Sequence, residues 1–270
     1  GQAMAARLPV DLEALVEQWA KDYFLRKASS AKERKIVEKD RLNVQVDWRK
    51  VQFRHNAPEY SPSPPKVGEG SHSPNTLFQA SFKNRTDRRQ TYNFKAERTT
   101  RSSCTVELES SYTKGFGLEI KLEVPGSIME ANAGFNRELT ITEASSNTIE
   151  EELMWGVNSD IEVEPRHEAS AKMVITEEEY MGTFHLRTTV SGILHISFHN
   201  LKDNNSFIRK VEPSLYDVMA WAQDKRILPS SDAVVLDKTV EGIVCNTRGK
   251  VNFKYGLRQD VEVEQRRIVD

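Results

Sequence analysis

From residue 77 to 198 the chain is written almost entirely in period-two alternation, and several alternating runs exceed ten residues. Strands usually hold five or six residues. Runs such as "QTYNFKAERTTRSSCTVELESSYT" (90–113) and "GTFHLRTTVSGILHISF" (182–198) therefore argue against a helical bundle or a compact sandwich. They call for a mainly β, elongated molecule of long twisted antiparallel strands. Apolar residues make up 38% and charged ones 29%, and mean hydropathy is −0.59, so these strands are polar on one face. A net charge of −2 supplies no basic field, and nucleic acid is not an expected partner. No run of 18 apolar residues exists, so any membrane activity would use strands or an interfacial surface.

The N-terminal stretch reads differently. Leu12, Leu15, Val16, Trp19 and Tyr23 fall at helical spacing behind Asp11, a capping residue. "AKERKIVEKDR" (31–41) continues the helix or forms a solvated turn, and "LNVQVDW" (42–48) alternates as a strand, with a shorter one around Val51 and Phe53. Trp19, Tyr23, Phe24 and Trp48 serve either as core or as a surface patch for an unknown receptor. Residues 58–75 hold five of the ten prolines and read as a loop. That loop divides a helical and stranded region, 1–75, a candidate receptor-binding or membrane-targeting part, from a β-rich module, 76–270. A helix is expected near 214–225, with Leu215, Val218, Met219 and Ala222 on one face and Pro229 ending it. Two strands follow, near 239–246 and 249–256. Gly1, Gln2 and Ala3 read as residues ahead of a native start at Met4, with no signal-like apolar segment after it. The expected location of the soluble form is the cytoplasm, or outside the cell if a signal peptide has been removed. Cys104 and Cys245 lie in strand-like runs and are expected as free buried thiols.

Catalytic patterns are missing. His195 and His199 have helical zinc-pair spacing but lie in a strand, where His195 and His185 face outward as solvated side chains. "TKGFGLE" lacks the strand-to-helix context of a phosphate loop, and no nucleophile elbow surrounds Ser191. The runs Glu150–Glu152 and Glu177–Glu179 read as solvated faces rather than calcium loops. Neither an enzyme activity nor a metal or cofactor is expected.

One ribbon remains unexplained, "YTKGFGLEIKLEVPGSIMEANAGFNRELTIT" (112–142). Leu118, Ile120, Leu122 and Val124 alternate with Glu119, Lys121 and Glu123, and after a turn Ala133, Phe135, Leu139 and Ile141 form a second apolar row. The arms, 115–124 and 131–141, have about the 9–11-residue length of a membrane-spanning strand. Arg137 shares the apolar parity of the second arm. Such a ribbon packs on its own sheet, or enters lipid as part of a closed barrel, where every strand is paired.

The flanks carry Thr99, Thr100, Ser102, Ser103, Thr105, Ser110, Ser111 and Thr113 on one side and Thr140, Thr142, Ser145, Ser146 and Thr148 on the other. Ser/Thr-rich strands around a short amphipathic hairpin resemble the aerolysin-like β-pore-forming proteins, in particular the epsilon-toxin/mosquitocidal-toxin family. "FKNRTDRRQTYNF" (82–94) is similar to that family's F-x-N-x-T-D entry strand, and 152–184 to its tryptophan strand, proline turn and returning long strand. "GKVNFKYGLRQDVEV" (249–263) resembles the tail of cytoplasmic animal members linked to cell death. The resemblance covers about 75–265. It implies an aerolysin-like fold with a helical N-terminal region at one end, and a soluble monomer or small oligomer that becomes a homo-oligomer on a lipid membrane. Leu118, Ile120, Leu122, Val124, Phe135, Leu139 and Ile141 would then face lipid, and Glu119, Lys121 and Glu123 would line a channel of mild cation preference. Pro125, Gly126, Ile128 and Met129 would form the crossing tip. The alternative on the same fold is a non-lytic soluble binding or carrier protein.

Overall fold

The computed structural model describes residues 9–109, 112–131, 133–141, 146–228 and 232–269. Gly1, Gln2, Ala3, Met4, Ser110, Ser111, Thr142, Ser145 and Pro229 lie outside the described residues. In chain order the elements are β1 (Val10–Asp11), α1 (Leu12–Lys27), α2 (Ala31–Glu38), β2 (Leu42–Asp47), β3 (Val51–His55), β4 (Glu59–Ser61), β5 (Ser71–Lys83) and β6 (Gln90–Leu108). Then come β7 (Thr113–Lys114), β8 (Ile120–Glu123), α3 (Gly126–Glu130), β9 (Glu138–Ile141), β10 (Ser146–Val163) and β11 (His167–Gly192). The chain closes with β12 (His195–Asn200), β13 (Ser206–Val211), α4 (Leu215–Asp224), β14 (Val234–Asp237), a 3₁₀ turn (Lys238–Val240) and β15 (Gly242–Arg267).

Two 26-residue strands, β11 and β15, form the spine. At about 3.3 Å per residue each follows a path of roughly 85 Å, so the molecule is elongated. They pair antiparallel along nearly their whole length, with one irregularity where Thr176 opposes Arg258 and Glu177 opposes Gly256, leaving Leu257 unpaired. β15 also carries β14 and β6, and β6 pairs with β10 over the full 18 residues of β10 without a register shift. The other edge of β11 is tiled end to end by β5, β4 and β3. A separate sheet, β13-β12-β2, lies at the end that carries the helices.

Three apolar clusters line the molecule. The head cluster joins Leu12, Val16, Trp19 and Phe24 of α1 to Phe198 of β12 and to Leu215, Val218, Met219 and Ala222 of α4. Asp11 caps α1 by accepting from Ala14 N at 3.1 Å, and Ser30 caps α2 by accepting from Glu33 N at 3.2 Å. α4 begins in a reciprocal capping box between Ser214 and Asp217. The middle cluster lies beneath β8 and β9, and the third, around Phe94, Val163 and Met173, fills the far end.

Several expectations need correction. The two final strands are one, β15, running to Arg267. Gly249, which invited a break, is a close-approach residue, since any side chain there would collide with Glu107 O. The run 182–198 is two strands, because Gly192, at φ +129°, lets the chain leave the long sheet for the head sheet. The charged run 31–41 is a second helix rather than an extension of the first. The proline-rich stretch 58–75 is partly ordered strand: β4 and the start of β5 both pair with β11. Pro74 is accommodated because β5 has β11 as its one neighbour, leaving an edge where no N–H is needed. Val51, ahead of the boundary expected at residue 75, shares the head cluster with Val190 and Ile243. Glu178, inside a run read as solvated, is 2% exposed. Strand alternation turns it inward between Glu177 and Glu179, where Oε1 accepts from Gly70 N at 2.7 Å.

Candidate membrane-insertion hairpin

β6 and β10 are the two strands of one long hairpin, and residues between 108 and 146 interrupt it. The excursion first docks on the head. Thr113 and Lys114 pair in parallel with Val10 and Asp11, and Gly115 and Gly117, both at positive φ, turn the chain. Phe116 stacks on Trp48 with ring centroids 4.4 Å apart, and Leu118 packs half-buried at the edge of the same cluster.

The chain then crosses to the middle of the sheet as a short ribbon. Ile120 opposes Ile141, Lys121 opposes Thr140, Leu122 opposes Leu139 and Glu123 opposes Glu138. The alternation predicted from sequence places Ile120, Leu122, Val124, Phe135, Leu139 and Ile141 on the buried side. They lie over Cys104 and Val106 of β6, Tyr180 and Phe184 of β11 and Phe253 of β15, with the Phe135 ring edge-on to Phe253 at 5.6 Å. At about 1.5–3 kcal/mol per fully buried large apolar side chain, that face is held by on the order of 10 kcal/mol.

The opposite side is a chain of ion pairs. Lys121 Nζ lies 3.8 Å from Glu119 and 3.7 Å from Glu138, and Arg137 lies 3.2 Å from Glu123. Exposed pairs of this kind contribute about 0–1 kcal/mol each. Arg137, whose parity belongs to the apolar row, escapes it because residues 133–137 are not strand. The tip is also not a simple turn. Pro125 is buried and precedes the one-turn helix α3, with Ile128 buried, Met129 half-buried and Gly126 exposed.

A strap formed by residues 57–64 lies beside the tip. Tyr60 Oη donates to Glu123 O at 2.7 Å, and Tyr180 Oη donates to Pro62 O at 2.6 Å. Burial pushes both phenols upward in pKa, so they stay protonated donors. An open cleft of about 670 Å³ separates strap and tip, lined by Pro58, Tyr60, Pro64, Val124, Met129 and Arg137.

The site residues expected from sequence thus divide. The apolar row from Ile120 to Ile141 shares one buried face, while Leu118 sits apart on the head. Glu119, Lys121 and Glu123 share the outer face. The aromatic patch is corrected: Trp19 and Trp48 are each 6% exposed and Phe24 is fully buried. Tyr23 stacks on Trp19 at 5.1 Å, so the four rings build the head core instead of a surface. Trp48 clamps the root of the excursion. That contact, the β1–β7 pairing and the Tyr60 latch lie between segments far apart in sequence and had no local signal. His185, His195 and His199 are half-buried and partnered rather than solvated. His185 Nε2 lies 2.8 Å from Asn246 Oδ1, His195 Nδ1 lies 3.0 Å from Glu212 Oε1, and His199 bonds Ser197 Oγ at 3.1 Å. Among the described residues no cluster of His, Cys, Asp or Glu is suited to a metal, and no helix is long and apolar enough to cross a membrane.

Both cysteines are free and buried. Cys104 lies under the ribbon and Cys245 lies in the head cluster. Burial pushes their thiols up to about 12 and about 11 respectively, leaving little thiolate near neutrality. Maleimide labelling of the soluble protein at pH 8 is therefore expected to be slow at both. Treatment with liposomes should speed it selectively at Cys104, read by peptide mass mapping; equal acceleration at Cys245 would mean general unfolding.

A long curled sheet with an amphipathic excursion docked on it defines the class of aerolysin-like β-pore-forming folds. Residues 65–269 match the sequence model of the Clostridium epsilon toxin ETX/Bacillus mosquitocidal toxin MTX2 family, and the chain belongs to that family. No curated protein sequence matches the chain. Among solved structures, a non-toxic crystal protein from Bacillus thuringiensis superposes with a TM-score of 0.57 at 13% identity, covering 96% of this chain and 98% of that one. A chain of the Cry23Aa1 and Cry37Aa1 binary protein complex gives 0.55 at 14% identity over 96% and 90%. The Mpp75Aa1.1 β-pore-forming protein of Brevibacillus laterosporus gives 0.42 at 12% identity over 95% and 90%.

Proposed function

We propose that the protein oligomerises on a lipid membrane and inserts residues 118–141 of each subunit as a β-hairpin of a transmembrane barrel. The observation that carries this reading is an alternating ribbon whose arms pair with each other over only four residues and which docks on the long sheet by its apolar side chains alone. An apolar face buried in the sheet loses little on moving into hydrocarbon, which is equally dry. The backbone decides the outcome, because strands in lipid must be paired on both sides, and neighbouring subunits supply the second edge. Ile120, Leu122, Val124 and Phe135 then exchange sheet for lipid, and Glu119, Lys121 and Glu123 remain in water. Family membership supports the same reading.

The test is dye release from liposomes, with SDS-resistant oligomers scored on the same samples across pH and lipid composition. Release together with a ring-sized oligomer is expected. Lipid-free monomer with no release under any condition would overturn the reading. It would favour a non-lytic binding protein, the second reading, which the non-toxic crystal protein of similar fold supports.

A further inference from the structure

The two strands that flank the excursion already hold a register, and it is not the register in which the excursion is closed at rest. β10 pairs with β6 from Val163 opposite Gln90 to Ser146 opposite Glu107 with no shift. Carried inward without a bulge, that pairing opposes Leu118 to Phe135, Ile120 to Ala133, Leu122 to Ala131, Val124 to Met129, and Glu123 to Glu130. The resting ribbon instead opposes Glu123 to Glu138, eight residues away. We propose that the inserted hairpin closes in the β6–β10 register, so that its turn falls on Gly126 and Ser127. The proposal rests on the pore reading above and specifies the geometry of the same segment.

Three features support it. First, Gly-Ser is a sequence suited to a two-residue type II′ hairpin turn, in which the first central residue takes φ > 0. Gly126 permits this, and a Cβ there would have nothing within 4 Å. Ile128 N already donates to Pro125 O at 3.0 Å, which is the bond that closes such a turn, while Pro125 lacks the N–H of the reciprocal bond and leaves Ile128 O to the water beyond the tip. Second, the apolar residues oppose each other in the continued register, filling one face from Leu118 and Phe135 to Val124 and Met129. Third, the register gives Arg137 a place. It opposes Phe116, diagonal to Lys114, at the base of a stretch, 116–124, of about the length a spanning strand requires. Cations on the lipid face are tolerated at that level, where their stems lie along the apolar surface and their heads reach the headgroups.

On the water-filled side Glu119, Glu123, Glu130 and Glu138 then stand against Lys121, which favours cations more strongly than the first arm alone would. Insertion also cannot be a rigid swing of the resting ribbon. β8 and β9 must separate completely, α3 must unwind, and the strands must pair again out of step.

Paired cysteines distinguish the registers. In a Cys104→Ala background, Glu123→Cys is combined either with Glu138→Cys or with Glu130→Cys, and each protein is oxidised before and after incubation with anionic liposomes. The 123–138 link is expected in the soluble protein, with loss of dye release until reductant is added. The 123–130 link is expected in oligomers extracted from the liposomes. A 123–138 link in those oligomers, or dye release by the protein locked at 123–138, would overturn the register while leaving pore formation intact. Absence of both release and oligomers in the parent protein would overturn the pore reading and the register with it.

Discussion

Leu118→Arg is expected to abolish dye release from liposomes while shifting the melting temperature of the soluble protein by only a few degrees. Leu118 is half-buried at the edge of the head cluster, beside the Phe116–Trp48 stack, so an arginine there can turn its guanidinium into water. In the proposed inserted hairpin the same position would face lipid. Two residues in from Phe116, near the interface, a lipid-facing arginine costs about 1 kcal/mol rather than the 2–4 kcal/mol of the midplane, and every subunit carries it. A ring multiplies the penalty by its number of subunits, so insertion fails well before the soluble fold does. Thermal melting and dye release measured on the same preparation separate the two effects. Release at the parent's level would remove residue 118 from the lipid face. The equivalent change at Leu122 or Leu139 would be uninformative, because both are buried on the underside of the resting ribbon and the variant would first lose its docking.

Asn84→Asp is expected to be the most destabilising near-isosteric change outside the hairpin. Asn84 is fully buried at the turn between β5 and β6. Its amide nitrogen donates to Arg88 O at 2.7 Å, Val163 O at 3.0 Å and Glu164 O at 3.1 Å, and its oxygen accepts from Thr86 N at 3.0 Å and Thr86 Oγ1 at 2.7 Å. Aspartate keeps the shape but turns a donor into a charged acceptor facing three carbonyl oxygens. Breaking a buried network so that a charge is left uncompensated costs about 3–5 kcal/mol. The new carboxyl would titrate above its unfolded value, so the loss should shrink as pH falls and the group takes up a proton. Urea melts at pH 7 and pH 5 check both parts. A loss below about 1 kcal/mol, the size of one ordinary hydrogen bond, would show that the network is dispensable.

That network also accounts for a sequence pattern. In "FKNRTD", Phe82 stacks on Tyr92 at 5.1 Å, Asn84 and Thr86 knit the turn, and Asp87 lies 2.8 Å from Arg166 at the opposing β10–β11 turn. These four positions close the far end of the sheet by holding two neighbouring turns together.

Period-two alternation made the long strands legible, since parity along a half-buried strand is a local property. The same parity found the buried face of the ribbon from Ile120 to Ile141. It went wrong wherever the chain stopped being strand. Residues 133–137 free Arg137 from the parity that the sequence assigns it, and residues 115–118 leave Leu118 on a different cluster from its neighbours in the pattern. Glycine was ambiguous in the same way: Gly192 ends a strand, while Gly249 lies inside one because another backbone passes close by.

What the sequence alone determined was therefore local: the alternation of β6, β10 and most of β11, the capped helix α1, the apolar face of α4, and the two faces of the excursion. Tertiary structure alone decided where the excursion docks, which side chains latch it and in which register it closes. Strand faces follow from neighbours along the chain, whereas register and docking are set by partners such as Trp48, Tyr60 and Phe253, 60 to more than 100 residues away in sequence. An alternating strand fits many registers equally well. The sheet beneath it selects one for the resting protein, and the long hairpin beside it holds another.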